Sequence, residues 1–216
     1  MARFALASVT ALVLAGIAGC GNSSINGPVN VAAGQKTGDI SAVNGGVNVG
    51  DGATVQSAMT VNGPVTLGSD VTAQSVKTVN GEVKVGRGSK ISGGVKTVNG
   101  AVILDSNADV QGEIGNINGA IRLTSAHVGG GIKTINADID VGSGSRVEGG
   151  IHVEKPTLSN DSDAHVPRIV IGPNATVNGG MTFERNVRLY VSDSAQISGP
   201  IEGATPEKFS GDQPPN

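Results

Sequence analysis

Side chains able to carry chemistry are few and scattered. Cys20 is the only cysteine, and the three histidines are His127, His152 and His165. A lone thiol serves as a nucleophile or as a point of covalent modification. The histidines have no partner at metal-ligand spacing in the chain and read as surface residues. Asn160-Asp161-Ser162-Asp163 offers two carboxylates. It lacks the spaced acids and closing glutamate of a calcium loop, so it reads as a solvated acidic segment. No Gly-x-Ser-x-Gly elbow, His-Glu-x-x-His pair or phosphate loop occurs. Gly129-Gly130-Gly131 precedes β-type columns and no helix, so it is not a nucleotide loop. The feature that recurs most is an amide: Asn26, Asn44, Asn62, Asn80, Asn99, Asn118 and Asn136, at intervals of 18, 18, 18, 19, 19 and 18 residues. Such a row binds a ligand or bonds to itself. A ladder of mutual amide bonds, with asparagine tolerating a left-handed corner, is the expected role. These residues imply no cofactor and no metal site, and nothing here points to an enzyme.

The surroundings of Cys20 say what its thiol is for. Arg3 gives a short positive start, and Phe4 to Ala15 is apolar apart from Ser8 and Thr10, too short to span a bilayer comfortably. Ile17-Ala18-Gly19-Cys20 then resembles the lipobox of bacterial lipoproteins. The resemblance implies cleavage after residue 19, acylation of Cys20 and stable anchoring by several acyl chains. Gly21 follows where an aspartate would signal inner-membrane retention, which implies an outer-membrane destination in the bacterial envelope. Residues 1–19 are thus a signal peptide and 20–24 a lipidated tether.

The asparagines sit in a longer repeat. Around each, apolar residues recur in five columns, with Val79, Val83, Val85, Ile91 and Val95 as the reference coil. Val98, Val102, Leu104, Val110 and Ile114 follow, as do Ile117, Ile121, Leu123, Val128 and Ile132. Earlier coils read Val43, Val47, Val49, Val55, Met59 and Val61, Val65, Leu67, Val71, Val76. A period of 18 to 19 residues is too short for a helical hairpin and suits one coil of a three-faced parallel β-helix. Residues at i and i+2, such as Val83 and Val85, would point inward, with glycine-rich corners between faces. The expected fold is all-β, a β-solenoid of about nine coils over residues 25–203 and roughly 40 Å long. The crossover rule favours right-handed winding.

Composition agrees. The chain has 34 glycines, no tryptophan, one tyrosine and three phenylalanines, so valine and isoleucine must build the core. A formal charge of −3 leaves no basic footprint for nucleic acid. Residues 153–167 (VEKPTLSNDSDAHVP) skip the columns and read as an excursion from one corner. The period returns at Ile169, Ile171, Val177, Met181 and at Leu189, Val191, Ile197, Ile201. Residues 204–216 carry three prolines and read as a cap or linker tail. Outside the leader the only aromatics are Phe183, Tyr190 and Phe209, expected to pack the last coils and close that end.

Residues 169–204, and most closely Ile171-Gly172-Pro173-Asn174-Ala175-Thr176-Val177-Asn178-Gly179, resemble the bactofilin, or polymer-forming cytoskeletal, family. That resemblance implies a three-faced right-handed β-helix that self-assembles. The repeated Val-Asn-Gly is also similar to β-strand-repeat putative adhesins. The spacing of Val79, Val85, Ile91, Val98, Leu104 and Val110 resembles the hexapeptide repeat of left-handed β-helix acyltransferases, which implies a histidine base between subunits. The expectation drawn is a structural envelope lipoprotein that presents a rigid solenoid. Its expected partners are the membrane through the anchor, with self-association or an envelope protein or glycan. The alternative is an adhesin-like module that recognises a partner through residues 153–167 or a solenoid face.

Overall fold

The structure, a computed structural model, describes residues 22–156 and 165–215. Every strand pairing in it is parallel, and residues 17 to 20 apart stack except where residues 153–167 intervene. One face is a ten-stranded sheet: Val29–Val31, Val47–Val49, Val65–Leu67, Val83–Val85, Val102–Leu104, Ala120–Leu123, Asp138–Val141, Arg168–Ile171, Arg188–Ser192 and Pro206–Phe209. The other two faces belong to one sixteen-stranded sheet. They share the long strand Thr72–Asn80, which bends and pairs onward with both Lys90–Ile91 and Val95–Lys96. The chain is therefore a parallel β-solenoid of about ten turns. The tenth comes from Pro206–Phe209 in the tail, which adds a strand along Arg188–Ser192.

Valine and isoleucine fill the interior because each coil presents its short inward side chains to apolar ones of similar size above and below. Four of the five expected columns line the interior, those of Val83, Val85, Ile91 and Val95, with two members reassigned below and Ile197 and Ile201 of the last coil only partly buried. The fifth is corrected. Val79 and its equivalents turn outward, and the residue before each, most often a threonine, faces the core, with Thr60 at 0% and Thr78 at 1% exposure. Strand alternation is the reason: Val76 points inward, so Thr78 must, and Val79 cannot. By the same logic Ala58 replaces Met59 in its column, because Ala58 pairs with Val76. Ala73 replaces Val71, since Val55 pairs with Ala73 and Ala73 with Ile91. Val71 joins a sixth inward column with Ala53, Ser89, Ala108, Ala126, Ser145 and Ala175, whose small residues fill a corner.

The inward threonines are satisfied. Thr60, Thr78 and Thr97 hydroxyls donate to the carbonyls of Gly45, Gly63 and Gly81 at 2.7, 3.1 and 3.3 Å. In the next coil Asn116 takes the threonine place and its Nδ2 donates to Gly100 at 3.2 Å. Its Oδ1 is buried without a partner among the described residues.

The two kinds of corner use glycine differently. At the Asn-Gly corner a Cβ on Gly81 or Gly100 would lie 1.9 Å from the glycine carbonyl one coil earlier, so close stacking demands glycine. None of the seven ladder asparagines has positive φ, so the expected left-handed asparagine corner is not used there. The left-handed column lies elsewhere, at Gly34, Gly52, Asp70, Gly88, Asn107, Ser125, Gly144 and Asn174.

Element boundaries shift from those expected. The first strand, Asn22–Asn26, already pairs with Ile40–Asn44, so residues 22–24 belong to the solenoid and not to the tether. Val153 ends the strand Ile151–Val153, is buried and pairs with Phe183, so the chain leaves the solenoid after it. Phe183 packs inside the core. Tyr190 and Phe209 instead form a small cluster with Val170 outside it, with the Arg168 guanidinium 5.0 Å from the Tyr190 ring centre.

Candidate functional site: the asparagine ladder and the base of the excursion

Stacking at the Asn-Gly corner brings all seven predicted asparagines into one line. Each amide Nδ2 donates to Oδ1 of the asparagine one coil earlier: Asn44 to Asn26 at 3.2 Å, Asn62 to Asn44 at 3.0 Å, and Asn80 to Asn62 at 2.9 Å. The row continues from Asn99 to Asn80 at 3.0 Å, Asn118 to Asn99 at 2.9 Å, and Asn136 to Asn118 at 3.0 Å. All the dipoles align, and such chains polarise one another. The carbonyl end of the row, Asn136 Oδ1, is negative and would otherwise be left open.

Arg185 closes that end. One guanidinium nitrogen donates to Asn136 Oδ1 and to the Ile135 carbonyl at 3.1 Å, and the other donates to the His165 carbonyl at 2.7 Å. The pairing of Thr134 with Val153 and of Val153 with Phe183 puts Arg185 in register with Asn136, two coils on. The cation thus ends the ladder and ties down the returning limb of the excursion. No sequence pattern marked this residue. The signal was available only as its position in the asparagine column.

The histidines, expected as unpaired surface groups, each meet a carboxylate from another coil. His127 Nδ1 lies 2.6 Å from Asp109 and its Nε2 lies 3.8 Å from Glu148. His152 Nε2 is 3.0 Å from Glu184 and His165 Nε2 is 2.8 Å from Asp138. Asp138 Oδ1 also accepts the Arg168 N–H at 2.8 Å, and Glu184 accepts the Lys155 N–H at 3.2 Å. Both limbs of the excursion are therefore pinned to solenoid carboxylates. The Lys155 N–H, and then the His152 ring, hold the Glu184 carboxyl below its ordinary value. Arg146, then Asn178, does the same for Glu148. Partial burial pushes Asp140 the other way, against the opposing Arg122 and Arg168.

Where the ladder ends, a shallow notch of about 510 Å³ opens, lined by Asn118, Gly119, Ala120, Asn136, Asp138, Pro156 and His165. Among the described residues no group of three or more His, Cys, Asp or Glu is placed to hold a metal. Among the same residues there is no helix long and apolar enough to cross a membrane. Cys20, residues 1–19 and Asn160 to Asp163 lie outside the described residues. No protein-family model, curated protein or solved structure matches the chain.

Proposed function

We propose that the chain is a non-catalytic structural lipoprotein of the bacterial envelope, anchored through acylated Cys20 and presenting a rigid solenoid that assembles with itself or with envelope components. The observation that carries this reading is the coil-to-coil use of the repeated residues. Valines stack on valines, amides on amides and glycines against carbonyls, so the repeat chemistry goes into stiffness along one axis. The described chain begins its first strand at Asn22, two residues after Cys20, so an anchored rod is held close to its membrane. Cys20→Ser should move the protein from the membrane to the soluble fraction. A mutant that stays membrane-bound at the wild-type level through a high-salt wash refutes the anchor.

A second reading is supported by the notch. A binding module that engages an envelope protein or glycan would use the notch at the Arg185-capped end of the amide ladder, beside the pinned excursion. Trimming residues 157–164 would abolish binding under this reading and leave self-association intact under the first.

A further inference from the structure

The residues that the repeat places beside the core but the structure turns outward form a continuous apolar stripe. Ile25, Val43, Val61, Val79, Val98, Ile117 and Ile135 stand one coil apart, each between an inward residue and a ladder asparagine. Seven coils at ~4.8 Å per strand spacing give a stripe ~29 Å long, parallel to the rod axis. Ile25, at its start, is 65% exposed, and the others are half-buried. A second outward column is not like this. That of Thr54, Thr72, Lys90, Asp109, His127, Arg146, Thr176 and Gln196 is polar throughout. A solvated strand face ordinarily carries polar residues. Valine's fit to a pleated strand would explain a few such positions, but the polar positions Thr54 and Thr72 sit in the same long strands as Val61 and Val79.

Two observations select the occupant. Ile25 lies in the first strand, Asn22–Asn26, only five residues along the chain from Cys20, so the proposed anchor is joined directly to the strand that begins the stripe. The neighbouring outward column runs Ser41, Met59, Lys77, Lys96, Gly115 and Lys133, placing lysines beside Val79, Val98 and Ile135, the last of them paired with Glu154 at 2.6 Å. Lysines that flank an apolar strip extend past it to anionic headgroups, as on helices that lie in a membrane surface. In the next two coils the stripe's own column turns acidic at Glu154 and Glu184. We propose that coils one to seven lie along the surface of an anionic lipid leaflet through this stripe, so that the anchored rod rests flat and its acidic far end stays in water. This inference rests on the proposed anchor. Tethering at one end raises the effective concentration of the stripe at the membrane, so a weak contact suffices.

The test uses the full-length acylated protein in vesicles of phosphatidylcholine with phosphatidylglycerol. With Cys20 acylated, Val79→Cys or Thr66→Cys supplies the one free thiol for a fluorophore, on the stripe or on the ten-stranded face. Lipids bearing a nitroxide quencher should quench the Val79 label several-fold more than the Thr66 label. Val61→Glu with Val98→Glu should erase the difference while circular dichroism stays that of the parent. Equal quenching of the two labels in membrane-bound protein overturns the flat orientation alone. A protein that does not partition with vesicles overturns both the orientation and the anchor. Concentration-dependent self-quenching of the Val79 label in detergent, with no quenching by lipid, shows that a second copy covers the stripe and also overturns the proposal.

Discussion

Replacing Gly81 by alanine tests the stacking rule at the asparagine corner most directly. The added Cβ would sit 1.9 Å from the Gly63 carbonyl oxygen and 2.4 Å from its carbon, and it must reach at least 3.0 Å to be tolerated. That oxygen is not free to move. It accepts the Thr78 hydroxyl at 3.1 Å, and the Gly63 and Gly81 N–H groups are tied to Asn80 and Asn99 carbonyls at 2.9 Å. Opening the corner strands the hydroxyl of Thr78, a residue only 1% exposed. An unsatisfied buried hydroxyl costs about 1–3 kcal/mol. Overpacking against backbone adds about 1–3 kcal/mol. Gly81→Ala should therefore lose about 4 kcal/mol, a large part of a typical domain's stability. Gly115→Ala is the control, because its nearest atoms stand at 3.7 Å and it should change stability by less than about 0.5 kcal/mol. Urea melts followed by circular dichroism give both values. Equal stability of the two variants refutes the stacking argument. So does rescue by Gly81→Asn, because asparagine would help only if the corner required left-handed backbone.

Other consequences follow from the same packing. Asn116→Thr restores the hydroxyl used by neighbouring coils and removes the unpartnered Oδ1, so it should raise stability by about 1 kcal/mol in the same melts. Deleting residues 79–97 removes one full coil, keeps every column in register and should fold with a modest loss; deleting residues 79–88 removes Val83 and Val85 from between their partners. Each buried valine lost there costs about 1.5–3 kcal/mol before any misregister, so equal tolerance of the two deletions in thermal melts would disprove the coil assignment. Glu184 has its carboxyl lowered, so its bonds to Lys155 and His152 stabilise the fold above the ordinary glutamate value of 4.5 and fade as pH falls through the lower folded value. Glu184→Gln should flatten the acid limb of the stability profile in that window, and an unchanged limb would refute the assignment.

The repeat in the chain determined the solenoid: a strict 18–19 residue period leaves identical residues little choice but to stack, and stacking is parallel pairing. The asparagine row was legible for the same reason, since equal spacing puts equal amides one strand apart. Tertiary structure decided the rest. Whether Thr78 or Val79 enters the core depends on strand phase through a bent nine-residue strand, and a period alone carries no phase. Arg185 ends the ladder across 49 residues of chain because the coils after the excursion return in register with those before it, and no local pattern puts a cation at that place. The histidine–carboxylate pairs likewise join residues from different coils, and the left-handed corner column appears only when backbone turns close on one another. A period states what stacks on what; which side faces water is set by the closing of each coil around its interior.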